Sequence, residues 1–167
     1  PGLKVVMPTT PADAKGLLAA SIFDDNPVIF LEHRWLYNGT GEVPEEAYQI
    51  PLGKAARIRT GDALTIVASS YMTVEAMRAC DHLSENGVHC DLIDLRTIAP
   101  MDMDAILTSV RKTGHLVVMD SGTSTGSIAG EIMAQVSERC WQDLKASPRR
   151  ITLPDFPTPT SPALTKH

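Results

Sequence analysis

Apolar and polar positions along the chain fall into two series of strand-like and helix-like segments, with a stretch lacking any period between them. The first series opens with Leu3 to Met7, short, β-branched and apolar, which predicts a buried strand. Thr10, Pro11 and Asp13 then supply a helix start: a hydroxyl N-cap, a proline at the first helical position, and an acid near the positive end of the dipole. Good helix formers continue from Ala12 to Phe23 and put Ala14, Leu17, Leu18 and Ile22 on one expected inward face. Pro27 halts this helix by pushing the residue before it out of helical geometry, and Val28 to Leu31 predicts a second buried strand. Strand, helix, strand in that order predicts a parallel crossover unit.

From about Trp35 to Leu52 the pattern dissolves into turn and breaker signals: Asn38-Gly39-Thr40-Gly41, Pro44 and Pro51. This stretch is expected to be a surface linker between domains, ending near Gly53. The second series begins with Ala55 to Arg59 and Ala63 to Ser69, joined by Thr60-Gly61-Asp62. It reads as a hairpin or as a strand entering the sheet from its edge. A helix follows over Thr73 to Ser84, with Val74, Ala76, Met77, Cys80 and Leu83 inward and Asn86-Gly87 closing it. Val88 to Leu95 predicts a strand. Pro100 and Asp102 open another helix, with Ile106, Leu107 and Val110 inward and Gly114 as its stop. His115 to Met119 is a strand, Gly126-Ser127 leads into a helix to about Trp141, and Arg149, Ile151 and Leu153 mark a last strand. The tail from Pro154 to Pro162 is too rich in proline for regular structure. Alternation of strands and helices predicts an α/β fold: a three-layer α/β/α sandwich with a mostly parallel sheet and one antiparallel edge strand. A βαβ piece precedes it. The expected divisions are residues 1–34, a linker at 35–52, and a main domain at 53–167.

Composition narrows the functional classes. The 43% hydrophobic content suffices for an ordinary core, but with only 5% aromatic residues that core must be mostly aliphatic. Net charge is −5 with the two signs interspersed, and the basic residues gather no further than adjacent pairs such as Arg149-Arg150, so a nucleic-acid footprint is missing. No apolar run reaches the roughly 20 residues of a membrane span. Cys80, Cys90 and Cys140 lie far apart and odd in number, which suggests reduced thiols rather than a disulfide framework or zinc knuckle. The opening Pro1-Gly2, running straight into an apolar segment, reads as a cut through a larger protein.

Among candidate sites, Gly122-Thr123-Ser124-Thr125-Gly126-Ser127 lies between a strand and a helix, where backbone N–H groups and the helix dipole favour an anion. It lacks the Walker lysine and the GxGxxG spacing. No two of His33, His82, His89, His115 and His167 share metal-ligand spacing, and no GxSxG elbow surrounds Ser69-Ser70. The segment Ser21 to Pro27 offers helix-end carbonyls together with Asp24 and Asn26, oxygens of the kind a hard cation needs. An ordinary Asx-rich stop accounts for the same residues.

Longer matches then give a specific resemblance. Leu3-Lys4-Val5-Val6-Met7-Pro8, Thr10-Pro11-Ala12-Asp13-Ala14-Lys15-Gly16-Leu17-Leu18 and Asp24-Asp25-Asn26-Pro27-Val28-Ile29-Phe30-Leu31-Glu32-His33 resemble the end of the pyrimidine-binding domain of beta subunits in thiamine-diphosphate-dependent 2-oxo acid dehydrogenases. Ile50-Pro51-Leu52-Gly53-Lys54-Ala55 continues the likeness. Ile93-Asp94-Leu95-Arg96-Thr97-Ile98-Ala99-Pro100-Met101-Asp102 is similar to their transketolase-type C-terminal domain. The resemblance implies a heterotetramer with an alpha subunit and a second beta subunit, acylating the lipoyl group of a dihydrolipoyl acyltransferase core. It implies thiamine diphosphate and magnesium held mainly by the alpha subunit, with the activating glutamate and the beta-subunit histidine upstream of residue 1. Glu32 and His33 do not take those roles, and no catalytic or cofactor-binding residue is expected in this chain. A structural potassium site is implied at Ser21, Asp24 and Asn26, partly through main-chain oxygens. A bacterial cytoplasm or a mitochondrial matrix is the implied compartment. The segment from Asp120 to Gly130 departs from the family pattern, and the chain stops short of residues that help dock the acyltransferase. An autonomous binding or assembly module, or a piece of a transketolase or deoxyxylulose synthase, is the rival reading.

Overall fold

The computed structural model describes residues 2–157. Residues 158–167, which include His167 and most of the proline-rich tail, lie outside the described residues. The main sheet has five strands in the order β3 (Ala56–Arg59), β5 (Cys90–Asp94), β4 (Leu64–Ala68), β7 (Leu116–Thr123), β8 (Arg149–Leu153). Four of them run parallel, and β3 is antiparallel at the edge. Helix α2 (Tyr71–Glu85) covers one face; α3 (Met103–Thr113) and α4 (Ile128–Cys140) cover the other.

Successive strand residues point to opposite faces, so a strand covered on both sides is apolar at most positions. That is the case here, with Thr65, Asp91 and Asp94 as buried polar exceptions. Ile66, Leu92 and Met119 face α2 and join Ala76 and Cys80, while Val67, Ile93 and Val118 face α3 and α4 and join Ile106, Val110 and Ile132. The expected three-layer sandwich is therefore present. Helix α3 keeps its expected inward residues, its Asp102 cap accepting from the Ala105 N–H at 3.2 Å, and its left-handed stop at Gly114 (φ 76°). Helix α2 starts earlier than expected, at Tyr71, and buries Thr73 rather than Val74.

Three local expectations are corrected. Strands β3 and β4 form no hairpin; β3 pairs with β5, Ala56 opposite Asp94, so the edge-strand alternative holds. Strand β5 lies between them, and the connection crosses its start at Gly61, where an added Cβ would stand 2.2 Å from the His89 carbonyl oxygen. Helix α1 (Pro11–Ile22) is rotated from its expected face: Leu17 is buried with Asp13, Gly16 and Ala20, whereas Leu18 and Ile22 are exposed. Its small residues form the contact side because Tyr48 and Ile50 press onto Gly16. Strand β2 (Val28–Phe30), expected to be buried, is an edge strand with Ile29 exposed.

A second, three-stranded sheet has the order β2-β1-β6. Strand β1 (Lys4–Val6) runs parallel to β2, as the crossover unit requires, and antiparallel to β6 (Thr97–Ala99), which follows β5 directly. The stretch expected as a linker is pinned rather than free. After a 3₁₀ turn at Arg34–Asn38, Ile50 N–H donates to the Gly16 carbonyl at 3.0 Å and the Tyr48 hydroxyl donates to the Ala12 carbonyl at 2.6 Å.

Candidate functional site

Polar groups converge where the first βαβ unit meets the C-terminal ends of β4 and β5. Thr10 caps α1, its hydroxyl oxygen accepting from the Asp13 N–H at 3.0 Å, and this fixes Asp13 on the buried side. Arg96, held at φ 58° just past β5, binds the Asp13 carboxylate at 2.6 Å. Its N–H also donates to Asp94 Oδ1 at 3.2 Å. Burial pushes the Asp94 carboxyl up to about 6, against the Arg96 N–H, which favours its charged form. The Thr9 hydroxyl donates to the Ser70 carbonyl at 3.3 Å. Ser70 Oγ, Thr73 Oγ1 and Asp94 Oδ2 are buried without a hydrogen-bond partner. Parallel α/β sheets present their functional groups at this end of the strands, yet here the groups link two parts of the chain to each other.

An open groove lies beside this junction, lined by Pro8, Thr10 and Ala14 on one wall and by Glu32, His33 and Tyr37 on the other. Both titratable groups in it are engaged locally. Glu32 accepts from the Tyr37 hydroxyl at 3.1 Å, which raises that hydroxyl's pKa. His33 accepts from the Trp35 N–H at 3.3 Å through Nδ1, and its ring stacks on Tyr71 at 5.0 Å.

Ser21, Asp24 and Asn26 lie at the end of α1, where Asp24 and Asn26 bond each other and Ser21 turns back on its own helix. Ser21 Oγ donates to the Leu17 carbonyl at 2.7 Å. One Asp24 oxygen pairs with the Lys4 ammonium, and the other accepts from the Asn26 N–H at 2.9 Å. That pairing holds the Asp24 carboxyl below the usual carboxylate range. The Lys4 ammonium already occupies the Asp24 carboxylate, which leaves the helix-end carbonyls, the Asn26 amide oxygen and the Ser21 hydroxyl as the neutral oxygens of this turn. Among the described residues no group of three His, Cys, Asp or Glu side chains is placed to hold a metal.

The Gly122–Ser127 segment has no free anion site. Gly122 and Thr123 belong to β7, which runs longer than expected. The Thr125 N–H and hydroxyl both donate to Asp155, at 2.9 and 2.7 Å, and hold that carboxyl below its ordinary range. A carboxylate of this chain takes the place a phosphate would need. The junction around Asp13, Asp94 and Arg96 went unnoticed in the sequence; the one signal there was an acid inside an otherwise apolar strand run, Ile93-Asp94-Leu95.

Comparison with known proteins adds two family matches. The profile of the transketolase C-terminal domain matches residues 53–167, and that of the transketolase pyrimidine binding domain matches residues 1–40. The chain is 46% identical over 164 residues to the acetoin:2,6-dichlorophenolindophenol oxidoreductase subunit beta of Cupriavidus necator, covering 98% of this chain and 48% of that protein. It is 43% identical over 164 residues to the pyruvate dehydrogenase E1 component subunit beta of Bacillus subtilis, covering 98% of this chain and 50% of that protein. The chain thus spans about half the length of the curated relatives it matches. In fold it is similar to a solved split-gene transketolase described as an inactive beta4 tetramer, with a TM-score of 0.77 at 23% identity, covering 93% of this chain and 50% of that one.

Proposed function

Because the chain belongs to the family defined by the transketolase C-terminal domain, we propose that it serves as the carboxyl-terminal half of the beta subunit of a thiamine-diphosphate-dependent 2-oxo acid dehydrogenase. The single observation that carries this reading is the likeness to named beta subunits along nearly the whole chain, across both matched domains. In this reading residues 1–34 end a pyrimidine-binding domain, 35–52 connect, and 53–167 form the C-terminal domain.

The residues present do not fit thiamine diphosphate or magnesium. Glu32 and His33, the acid and the imidazole of the open groove, are spent on Tyr37 and on Trp35 and Tyr71, and among the described residues no group of His, Cys, Asp or Glu suits a metal ion. The chain's contribution is therefore scaffold. Arg96 and Asp13, with β1 on β6, set the angle between the two parts, and Tyr48 and Ile50 clamp α1 against the connecting segment. Cofactor and magnesium belong to the alpha subunit and to the rest of the beta subunit. A second beta subunit, the alpha subunit and a dihydrolipoyl acyltransferase core are the partners, and the exposed Ile22, Phe23, Trp35 and Trp141 are apolar groups available for such contacts. Potassium at the α1 end would be held by main-chain oxygens favoured by the helix dipole, with Asp24 kept for Lys4. The compartment follows the source, a bacterial cytoplasm or a mitochondrial matrix.

The test is a deletion. Removing residues 53–167 from the complete beta subunit should abolish assembly with the alpha subunit and oxidative decarboxylation of 2-oxo acids. Residues 1–167 alone should show no turnover with pyruvate and thiamine diphosphate. Turnover by residues 1–167 alone would overturn the proposal.

A further inference from the structure

Cys80 and Cys90 are far from the junction and from the open groove. One projects from α2 and the other from the first position of β5, and both belong to the core layer beneath α2. Each side chain is 4% exposed, yet both line a surface groove shared with Arg59, Asp81, Ser84 and His89. The sequence gives no hint of this pair, because no CxxC spacing joins them; the chain brings them together by turning back at Gly87 (φ 77°), between α2 and β5. The third thiol has no such neighbour: Cys140 lies in the layer beneath α3 and α4 and donates to the Val136 carbonyl at 3.3 Å.

We propose that Cys80 and Cys90 are a redox-active thiol pair that a hydroperoxide, entering through this groove, converts to an intramolecular disulfide bond between α2 and β5.

The pair is chemically asymmetric. Both thiols open on the same groove, one from α2 and one from β5. Burial, with the Cys90 sulfur beside it, pushes the Cys80 thiol up to about 12; burial also raises the Cys90 thiol, and its Cys80 neighbour partly counters that rise. Cys90 is therefore the sulfur that more readily becomes the nucleophilic thiolate. Its sulfur attacks the peroxide, the O–O bond breaks, and Cys90 becomes a sulfenic acid while the peroxide leaves as water or an alcohol. The Cys80 sulfur then displaces the hydroxyl from Cys90, forming the S–S bond and releasing water. Two thiols lose two electrons and two protons, and one hydroperoxide is reduced. Both sulfurs being buried makes this slower than at an exposed low-pKa thiol, and the neighbouring Cys80 captures the sulfenic acid before a second peroxide oxidises it further. Arg59, paired with Asp81 at 3.0 Å at the groove, favours the thiolate on Cys80 that forms as the second step proceeds.

The experiment uses the complete protein in its native assembly, treated with hydrogen peroxide, blocked with a thiol alkylating reagent and digested without reductant. The expected result is a linked peptide pair containing Cys80 and Cys90 that dithiothreitol separates, with Cys140 recovered as the alkylated thiol. In the Cys80→Ser assembly, peroxide should drive Cys90 to sulfinic acid with no link; Cys140→Ser should leave the link intact. Recovery of Cys80 and Cys90 as free thiols, as separate sulfinic or sulfonic acids, or linked to Cys140 or to another chain would overturn the proposal. The wild-type peptide map decides the matter even if a serine variant fails to fold.

Discussion

Arg96 binds Asp13 at 2.6 Å, joining the turn after β5 to the first turn of α1. The backbone at Arg96 sits at φ 58°, a left-handed conformation that costs a non-glycine residue about 1 kcal/mol. The ion pair and the Met7 N–H bond to the Arg96 carbonyl at 2.8 Å hold it there. Replacing Arg96 by alanine leaves the Asp13 carboxylate buried without its cation, a change that typically costs about 3–5 kcal/mol. Urea unfolding should show a lower midpoint for Arg96→Ala, partly restored in the double variant with Asp13→Asn. Equal midpoints for wild type and Arg96→Ala would show that the pair does not hold the junction.

Asp94 gives a pH signature. Its folded-state pKa is raised to about 6, above the unfolded value of 3.8, so the proton binds the folded form more tightly. The stabilisation is complete below the unfolded value and is lost as pH rises through about 6. A shift of that size corresponds to something on the order of 3 kcal/mol. The midpoint temperature should therefore rise between pH 7 and pH 5, and Asp94→Asn should remove much of that rise. Parallel pH profiles in the two proteins would contradict the assignment.

Two glycine substitutions should differ in severity. At Gly61 an added methyl meets His89 backbone atoms at 2.2 and 2.3 Å, which only a shift of β3 from β5 can relieve. Gly61→Ala is expected to cost about 3 kcal/mol, the upper range for overpacking. At Gly114 the obstacle is the flexible Lys145 side chain, leaving chiefly the φ 76° penalty of about 1 kcal/mol. Chemical denaturation of both variants checks the ordering.

A buried polar chain runs beneath α3. Ser109 donates to Asp91 Oδ2 at 2.6 Å and shares a bond of 2.7 Å with Thr65, which bonds Thr113 at 2.8 Å. Lys112 and Arg57 supply the charge for Asp91, at 2.7 and 3.3 Å. Ser109→Ala removes a donor from a fully buried carboxylate, and a loss of about 1–3 kcal/mol is expected on unfolding. Thermal unfolding within experimental error of wild type would mean that Lys112 and Arg57 satisfy the group without the hydroxyl.

What the sequence determined by itself was local. Thr10-Pro11 and Asp102 marked helix starts, Gly114 a stop, and the adjacent apolar pairs Ile66-Val67 and Leu92-Ile93 announced strands covered on both faces, because caps and side-chain periodicity act within a few residues. The tertiary structure alone decided which segments met. Strand β3 passed over β4 to pair with β5, the three residues of β6 became a strand by finding β1, and α1 turned its glycine side inward under Tyr48 and Ile50. The junction at Asp13, Asp94 and Arg96, the bonds that close the turn at Asp24, and the pairing of Cys80 with Cys90 were settled in the same way. Such contacts depend on the path of the whole chain, and no spacing along it records them.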